Sequence, residues 1–313
     1  MSSTHNLTLQ DAWPKRFVGW MNERFPFSHA LLFFILYLTA AAIARAASGA
    51  EHIIQSQDIM SCLVTWSFFL VLRIFDEHKD YELDCHNHPQ RVLQSGLITL
   101  NHLKIVGALA IALQIVYSVY VDGGMGATVT AWVMMFAWTC LMGKEFFIAE
   151  WLTRHLTWYA VSHMMVMPLI VWWLAHMAQP EAALSIPLIA FMSLAFISGF
   201  CFEIARKTKG PEEERDTIES YSRIFGTRGS AVVVMGLLTG MVLNQGFLVS
   251  QLSSTFPLWA AAILVLFYSL AMFQVGKFIQ SPSVKGREKN EGAIALNMLA
   301  GYSVLIAVVI ATH

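Results

Sequence analysis

The sequence predicts an all-α integral membrane protein built as a bundle of nine transmembrane helices, and three observations support this fold class. Of the 313 residues, 56% are hydrophobic and only 13% are charged, which is about half the charged fraction of a typical soluble domain. The apolar residues fall into blocks of about 20, the length that an α-helix needs to cross a bilayer core. The blocks are continuous rather than alternating, which favours helices over the strands of a barrel.

Nine apolar blocks can be distinguished along the chain, and no linker or shift in composition separates them. Residues 1–313 are therefore predicted to form one membrane domain, with residues 1–25 as an N-terminal interfacial segment or, for the first few residues, a disordered tail. The blocks are Phe27–Ala44, Ile59–Phe75, Ile105–Val121, Ala127–Gly143, Trp158–Met177, Leu184–Cys201, Gly229–Phe247, Leu258–Gly276 and Ala293–Ala311.

The basic residues predict an orientation for this bundle. Nine spans place the N-terminus and the second, fourth, sixth and eighth connections on one side. These segments, together with Arg73 in the last turn of the second span, hold 19 of the 20 Lys and Arg residues. The exception is Arg45. The positive-inside rule therefore predicts a cytoplasmic N-terminus and an outside C-terminus, with a bacterial inner membrane as the expected location. The four cysteines are scattered, so no disulfide framework is expected.

A first acidic segment follows the second span, at Asp76, Glu77, Asp80 and Asp84. If the helix continues past Phe75, these four side chains share one face, since residues three and four apart are neighbours. Like charges repel at this spacing, and a divalent cation would neutralise them. Mg²⁺ prefers such oxygen ligands and completes its shell with water and substrate phosphate. The alternative is a solvated charged loop.

A second acidic segment follows the sixth span. Glu203 is spaced for ion pairs with Arg206 and Lys207 along a helix. Pro211 is predicted to start a new helix with Glu212–Glu214 in its first turn, where the helix dipole favours negative charge. These glutamates are therefore either ligands or dipole partners.

The two acidic segments form a weak internal repeat. Arg91 and Gly96 follow the first segment, and Arg223 and Gly226 follow the second. The four-span separation suggests two related half-bundles that face each other.

The first acidic segment resembles the first signature of the UbiA-type intramembrane prenyltransferases: it reads Asp76-Glu77-x-x-Asp80-x-x-x-Asp84, with Pro89-x-Arg91 downstream. It departs from that signature at Asp76, where Asn is usual, and at Glu77, where Asp is usual. The second signature is rebuilt from glutamates. The resemblance implies a central cavity capped by the two acidic loops, in which an allylic isoprenoid diphosphate binds through Mg²⁺.

The resemblance assigns roles to individual residues. Asp76, Glu77, Asp80 and Asp84 are expected to hold one Mg²⁺, and Glu203 with Glu212 or Glu213 a second. Tyr221 or Tyr159 is expected to face the leaving group, and His163 is either a general base or a packed intramembrane histidine. Lys144 matches a phosphate-contacting lysine of the family, unless it is a positive-inside anchor. The cations expected to neutralise diphosphate are Arg73, Lys79, Arg91, Lys144, Arg206 and Lys207.

The predicted function is Mg²⁺-dependent transfer of a prenyl group to a lipophilic or aromatic acceptor within the membrane. A terpene cyclase would use the same ionisation without an acceptor. A transporter would carry acids in the middle of its spans, whereas these acids lie at helix ends. An assembly factor without activity is the remaining alternative, and no nucleic-acid partner is expected.

Overall fold

The computed structural model describes residues 7–214 and 220–313, and all regular elements in these residues are helices. Short 3₁₀ turns lie at Phe27–His29, Glu145–Phe147 and Pro211–Glu213. The α-helices are α1 (Trp13–Arg24), α2 (Ala30–Ala47), α3 (Asp58–Lys79), α4 (Tyr81–Asn87), α5 (Leu100–Asp122), α6 (Ala127–Gly143), α7 (Ala149–Arg154), α8 (Leu156–Met164), α9 (Val166–Ala178), α10 (Ile186–Arg206), α11 (Tyr221–Leu252), α12 (Leu258–Gln280) and α13 (Val284–Thr312).

In the described part of the chain, eight helical segments are long and apolar enough to cross a membrane. Two of the helices, α8 and α9, together form one of these segments, Leu156–Ala178. The ninth apolar helix, α6, has 17 residues and is about 26 Å long, slightly less than a bilayer core. The helical membrane class is therefore confirmed, whereas nine complete crossings stay a prediction.

The apolar helices form a closed ring. In the order α2, α3, α5, α6, α9, α10, α11, α12 and α13, each helix contacts the next, and α13 contacts α2. Across the ring α2 also contacts α9, whose Trp173, Leu174 and Ala175 are fully buried. The preceding helix, α8, is only partly buried. The interior of the ring is therefore packed around α9 and is less closely filled at the α8 end.

Contacts between distant segments bring the long connections together at that end. The Arg16 guanidinium of α1 donates to the Leu97 carbonyl oxygen at 2.7 Å, and the Tyr221 hydroxyl of α11 donates to the Leu156 carbonyl oxygen at 3.1 Å. We call this region, formed by α1, the last turns of α3 and α10 and the loops that follow α3, α6 and α10, the charged end.

The N-terminal helix α1 is docked on the bundle. Trp20 is fully buried in a separate apolar cluster that includes Ile74 of α3 and Leu93 of the α3–α5 connection. This packing fixes Arg24, the last residue of α1, beside the first acidic segment. The predicted interfacial segment thus also forms part of the charged end.

A buried ion pair joins α2 and α3 at the opposite end. The Arg45 guanidinium donates to both carboxylate oxygens of Asp58, at 2.7 and 2.8 Å, and the Tyr37 hydroxyl donates to Asp58 Oδ1 at 2.7 Å. Asp58 begins the 22-residue helix α3, so the pair lies roughly 30 Å from the charged end. Arg45, which the predicted topology places on the side opposite to the other basic residues, is therefore neutralised by Asp58.

Two glycines explain a shared feature of the internal repeat. Gly96 has a φ of +81° and Gly226 a φ of +72°. Glycine adopts this left-handed region without the steric penalty of a side chain. At Gly226 the turn divides α11, and at Gly96 it lies in the connection before α5. Each acidic segment is therefore followed by a glycine with a positive φ.

Candidate active site

The first acidic segment is bent rather than continuous. Helix α3 ends at Lys79, and α4 begins at Tyr81. Asp80 between them has φ −95° and ψ 6°, although its N–H still donates to the Asp76 carbonyl oxygen at 2.9 Å. The predicted single helix through Asp84 is therefore interrupted, and the four acidic side chains divide into two pairs with different surroundings.

Glu77 and Asp84 are held by arginines. Glu77 is fully buried, and its Oε1 accepts hydrogen bonds from Arg24 Nε at 2.6 Å and Arg73 Nε at 2.9 Å. Asp84 Oδ2 lies 2.8 Å from Arg91 Nη1 and 3.3 Å from Arg24 Nη2. Charge-assisted hydrogen bonds of this kind are strong. Arg24, Arg73 and Arg91 thus hold one oxygen of each of these carboxylates, whereas Glu77 Oε2 has no hydrogen-bond partner among the described residues. This arrangement differs from the predicted four-carboxylate metal site.

Asp76 and Asp80 are the remaining pair. The Asp76 side chain is 58% exposed and has only a 3.8 Å contact with Arg73. Burial raises the pKa of Asp80. The positive charge of Lys79 lowers this pKa, and the negative charges of Asp84 and Glu145 raise it further. Within residues 7–214 and 220–313, neither carboxylate has a basic partner at hydrogen-bonding distance. They are the acids of the first segment that remain available to a ligand.

The donor set fits one Mg²⁺ better than two. Mg²⁺ is usually held by one or two carboxylates together with water and phosphate oxygens, and Asp76 and Asp80 lie one helical turn apart. No group of three or more His, Cys, Asp or Glu side chains in the described residues is arranged to hold a metal. Both oxygens of Glu203 are already bonded, Oε1 to Lys207 Nζ at 2.8 Å and Oε2 to Arg206 Nη2 at 2.7 Å. The predicted second Mg²⁺ therefore does not fit at Glu203.

The remaining glutamates of the second segment lie in an irregular loop. Pro211–Glu213 forms a single 3₁₀ turn instead of the predicted new α-helix. Glu213 Oε1 accepts from Arg287 Nε of α13 at 2.8 Å, and Glu214 accepts from the Ser220 hydroxyl. Glu212 is exposed. Arg215, Asp216 and Glu219 lie outside the described residues.

A compact cluster joins α3, α8 and the loop after α6. The Lys79 ammonium donates to the Tyr159 hydroxyl at 2.6 Å and forms an ion pair with Glu145 Oε1. Tyr159 also donates to Glu145 Oε1 at 3.2 Å. His163 Nε2 lies 3.5 Å from Glu145 Oε2, and Lys207 Nζ of α10 lies 5.2 Å from the centre of the Tyr159 ring. The cluster therefore connects the first acidic segment with the second.

The backbone around Glu145 is strained. Glu145, Phe146 and Phe147 have φ values of 48°, 52° and 59°, in the left-handed region that residues with a side chain rarely adopt. Such residues cost roughly 1–3 kcal/mol each and are found at functional sites when the surrounding structure holds them. The Phe146 ring packs edge-on against Trp138 and His163. These contacts hold the turn that directs Glu145 toward the cluster.

Two other predicted residues lie elsewhere. The Tyr221 side chain is fully buried and its hydroxyl is bonded to Leu156, so Tyr159 is the tyrosine that lies among the charged groups. Lys144 lies at the edge of a cavity of about 600 Å³ between α3, α5 and α6, which Lys104 and Phe75 also line. That cavity adjoins the cluster through Lys79.

Sequence reasoning missed Arg24, Glu145 and Arg287. Each binds an acid or base on a distant segment, at a separation of 53 residues for Arg24 and Glu77 and 74 for Arg287 and Glu213. Helical spacing reveals partners three or four residues apart but not these. The one signal was the position of Glu145 next to Lys144 in a polar connection.

Comparison with known proteins supports the fold assignment. No family model matches the chain, and neither does any curated protein. Among solved structures, a digeranylgeranylglyceryl phosphate synthase in membranes is similar, with a TM-score of 0.65 and 15% sequence identity over 95% of this chain and 99% of that chain. At this identity the similarity shows the fold alone. The chain therefore has the same helical membrane fold as this synthase.

Proposed function

We propose that this protein is an intramembrane prenyltransferase that ionises an allylic isoprenoid diphosphate and transfers the prenyl group to a lipophilic acceptor. The observation that carries the proposal is the pair Asp76 and Asp80. In the described part of the chain, neither carboxylate has a basic partner at hydrogen-bonding distance, although Arg73, Lys79 and Arg206 lie near them. The shared fold, which extends over 95% of the chain, supports the same interpretation.

The basic residues suit a leaving diphosphate. Lys79, Arg206 and Lys207 lie at the ends of α3 and α10, and Arg206 is close enough to Asp76 for electrostatic attraction. Fixed cations stabilise the negative charge that develops as the C–O bond breaks. Asp76 and Asp80 would hold one Mg²⁺, which when bound neutralises diphosphate oxygens.

The other predicted cations have different tasks in this proposal. Arg73 holds Glu77 within α3, and Arg91 holds Asp84 of α4. Arg24 contacts both of these carboxylates and so stabilises the bend between α3 and α4. That bend positions Asp80. The apolar interior of the ring next to α8 and α10 would keep water away from the allylic cation.

The test is diphosphate release from geranyl, farnesyl and geranylgeranyl diphosphates by the purified protein, with Mg²⁺ or with EDTA. We expect Mg²⁺-dependent release when a membrane extract supplies the acceptor. Asp80→Asn should lower the rate at least about 100-fold, the scale of losing one charge-stabilising group, with unchanged thermal unfolding. Glu82→Gln, an exposed acid on α4, is the matched control.

Two results would contradict this proposal. Mg²⁺-dependent release without acceptor, together with a cyclic hydrocarbon product, would show a terpene cyclase. Absence of release from all three diphosphates, with and without extract, would remove the enzymatic assignment.

A further inference from the structure

Glu145 and His163 place two hydrogen-bond acceptors opposite each other. His163 Nδ1 lies 2.8 Å from the Tyr159 carbonyl oxygen, which can only accept. The Ser162 hydroxyl near Nδ1 donates its hydrogen to the same carbonyl. Nδ1 must therefore carry the ring hydrogen, and Nε2 of the neutral imidazole has a free lone pair.

The carboxylate side of the pair is equally specific. Glu145 Oε1 is occupied by Lys79 and Tyr159, which leaves Oε2 facing His163 Nε2 at 3.5 Å. Both Oε2 and Nε2 are buried and lack a hydrogen-bond partner among the described residues. Two facing lone pairs repel each other, and a proton shared between them converts the contact into a charge-assisted hydrogen bond.

The surroundings keep this arrangement in place. The His163 ring stacks on the Tyr159 ring, with centres 4.0 Å apart, and the left-handed turn at Glu145–Phe147 fixes the carboxylate from the other side. The charged and titratable groups that face the pair are Lys79 from α3, Tyr159 from α8 and Lys207 from α10. The pair thus borders Lys79 and Lys207 of the proposed diphosphate site.

We propose that the Glu145–His163 pair accepts the proton that the prenyl acceptor releases. The acceptor is a hydroxyl compound whose O–H donates to His163 Nε2 once the bound acceptor has displaced the side chains that cover this buried atom. This inference rests on the proposed function. The allylic C–O bond breaks, and its electron pair leaves with diphosphate. The acceptor oxygen forms a new C–O bond to the allylic carbon, and its proton moves to His163 Nε2, where Glu145 Oε2 stabilises the imidazolium. No oxidation or reduction is involved.

The first measurement does not depend on activity. ¹⁵N NMR of the histidine-labelled protein, with the His163 signal identified by its loss in His163→Gln, should show a neutral ring with the hydrogen on Nδ1. The signal should change to that of an imidazolium as the pH falls. In Glu145→Gln the amide can donate to Nε2, and the imidazolium should then form only at a lower pH. An Nε2–H tautomer in the native protein would overturn the inference.

The second measurement is the rate of prenyl transfer against pH. His163→Gln should lower kcat by about 10²- to 10⁴-fold, the usual contribution of a general base, and should remove the rise of kcat with pH. Added imidazole should partly restore transfer in His163→Gly. His155→Gln, an exposed histidine just before α8, is the matched control.

The two measurements separate this inference from the proposed function. If the native protein transfers prenyl groups and His163→Gln keeps the native rate and pH profile, the Glu145–His163 assignment fails alone. If the native protein transfers none, the proposed function fails, and the NMR titration still decides whether the pair binds a proton.

Discussion

The Glu77 carboxylate accepts hydrogen bonds from arginines on two different helices, α1 and α3, and has no exposed surface. A buried charge of this kind needs its partners, because desolvation of an unpaired ion costs several kcal/mol. Glu77 therefore fixes the docking of α1. Asp76, its neighbour in sequence, lies on the exposed side of the same helix.

Glu77→Gln should destabilise the protein without directly removing a metal ligand. Loss of one member of a buried ion pair costs roughly 3–5 kcal/mol, which thermal unfolding in detergent micelles would detect. Glu82→Gln is the control, since exposed substitutions usually change stability by less than about 0.5 kcal/mol. Native stability combined with lost Mg²⁺ binding would return Glu77 to the metal site that the sequence predicted.

At the scale of single residues, the sequence predicted where the acids gather but not which of them are free. On a helical wheel, Asp76, Glu77, Asp80 and Asp84 share one face. Their difference arises from Arg24, 53 residues before Glu77, and from the bend at Asp80. Neither feature has a local sequence signal.

Among the elements, the turn at Glu145–Phe147 is the least expected. Its sequence contains no glycine, although three consecutive residues have a left-handed backbone. The apolar pair Phe146 and Phe147 gave no reason to predict a turn of this kind. By contrast, the positive φ angles that follow the two acidic segments occur at glycines, Gly96 and Gly226, where the sequence could indicate them.

Phe147→Gly tests the strain in this turn. The Phe147 side chain is 76% exposed, so little packing is lost, and glycine removes the left-handed penalty. We expect the free energy of unfolding to rise by about 1 kcal/mol. Phe247→Gly, at a half-exposed position within α11, should instead lower it by about 1 kcal/mol. Equal losses in both variants would show that the turn is not strained.

For the whole molecule, the sequence predicted most of the architecture. Blocks of about 20 apolar residues specify helices because lipid offers no hydrogen bonds to an open backbone. The packing of α9 against α2 depends on how side chains such as Trp173 fill the ring. That property is not visible in hydropathy.

The orientation of the whole molecule can be tested by labelling spheroplasts, which lack an intact outer membrane and cell wall, with a membrane-impermeant maleimide. In a variant whose other three cysteines are replaced by alanine, Cys85 of α4 at the charged end should react only after the membrane is permeabilised. Glu181→Cys, at an exposed position of the opposite end in a background without native cysteines, should react in intact spheroplasts. The reverse pattern would contradict the positive-inside assignment.

The Arg45–Asp58 pair has a consequence for how the molecule can move. A carrier that exposes its site alternately to both sides must separate helices at each end in turn, often by rocking one half against the other. Here two buried hydrogen bonds and the Tyr37 hydroxyl connect α2 with α3 at the end away from the charged groups. Opening that end would expose or break a desolvated ion pair. Any movement at that end is therefore expected to carry α2 and α3 together.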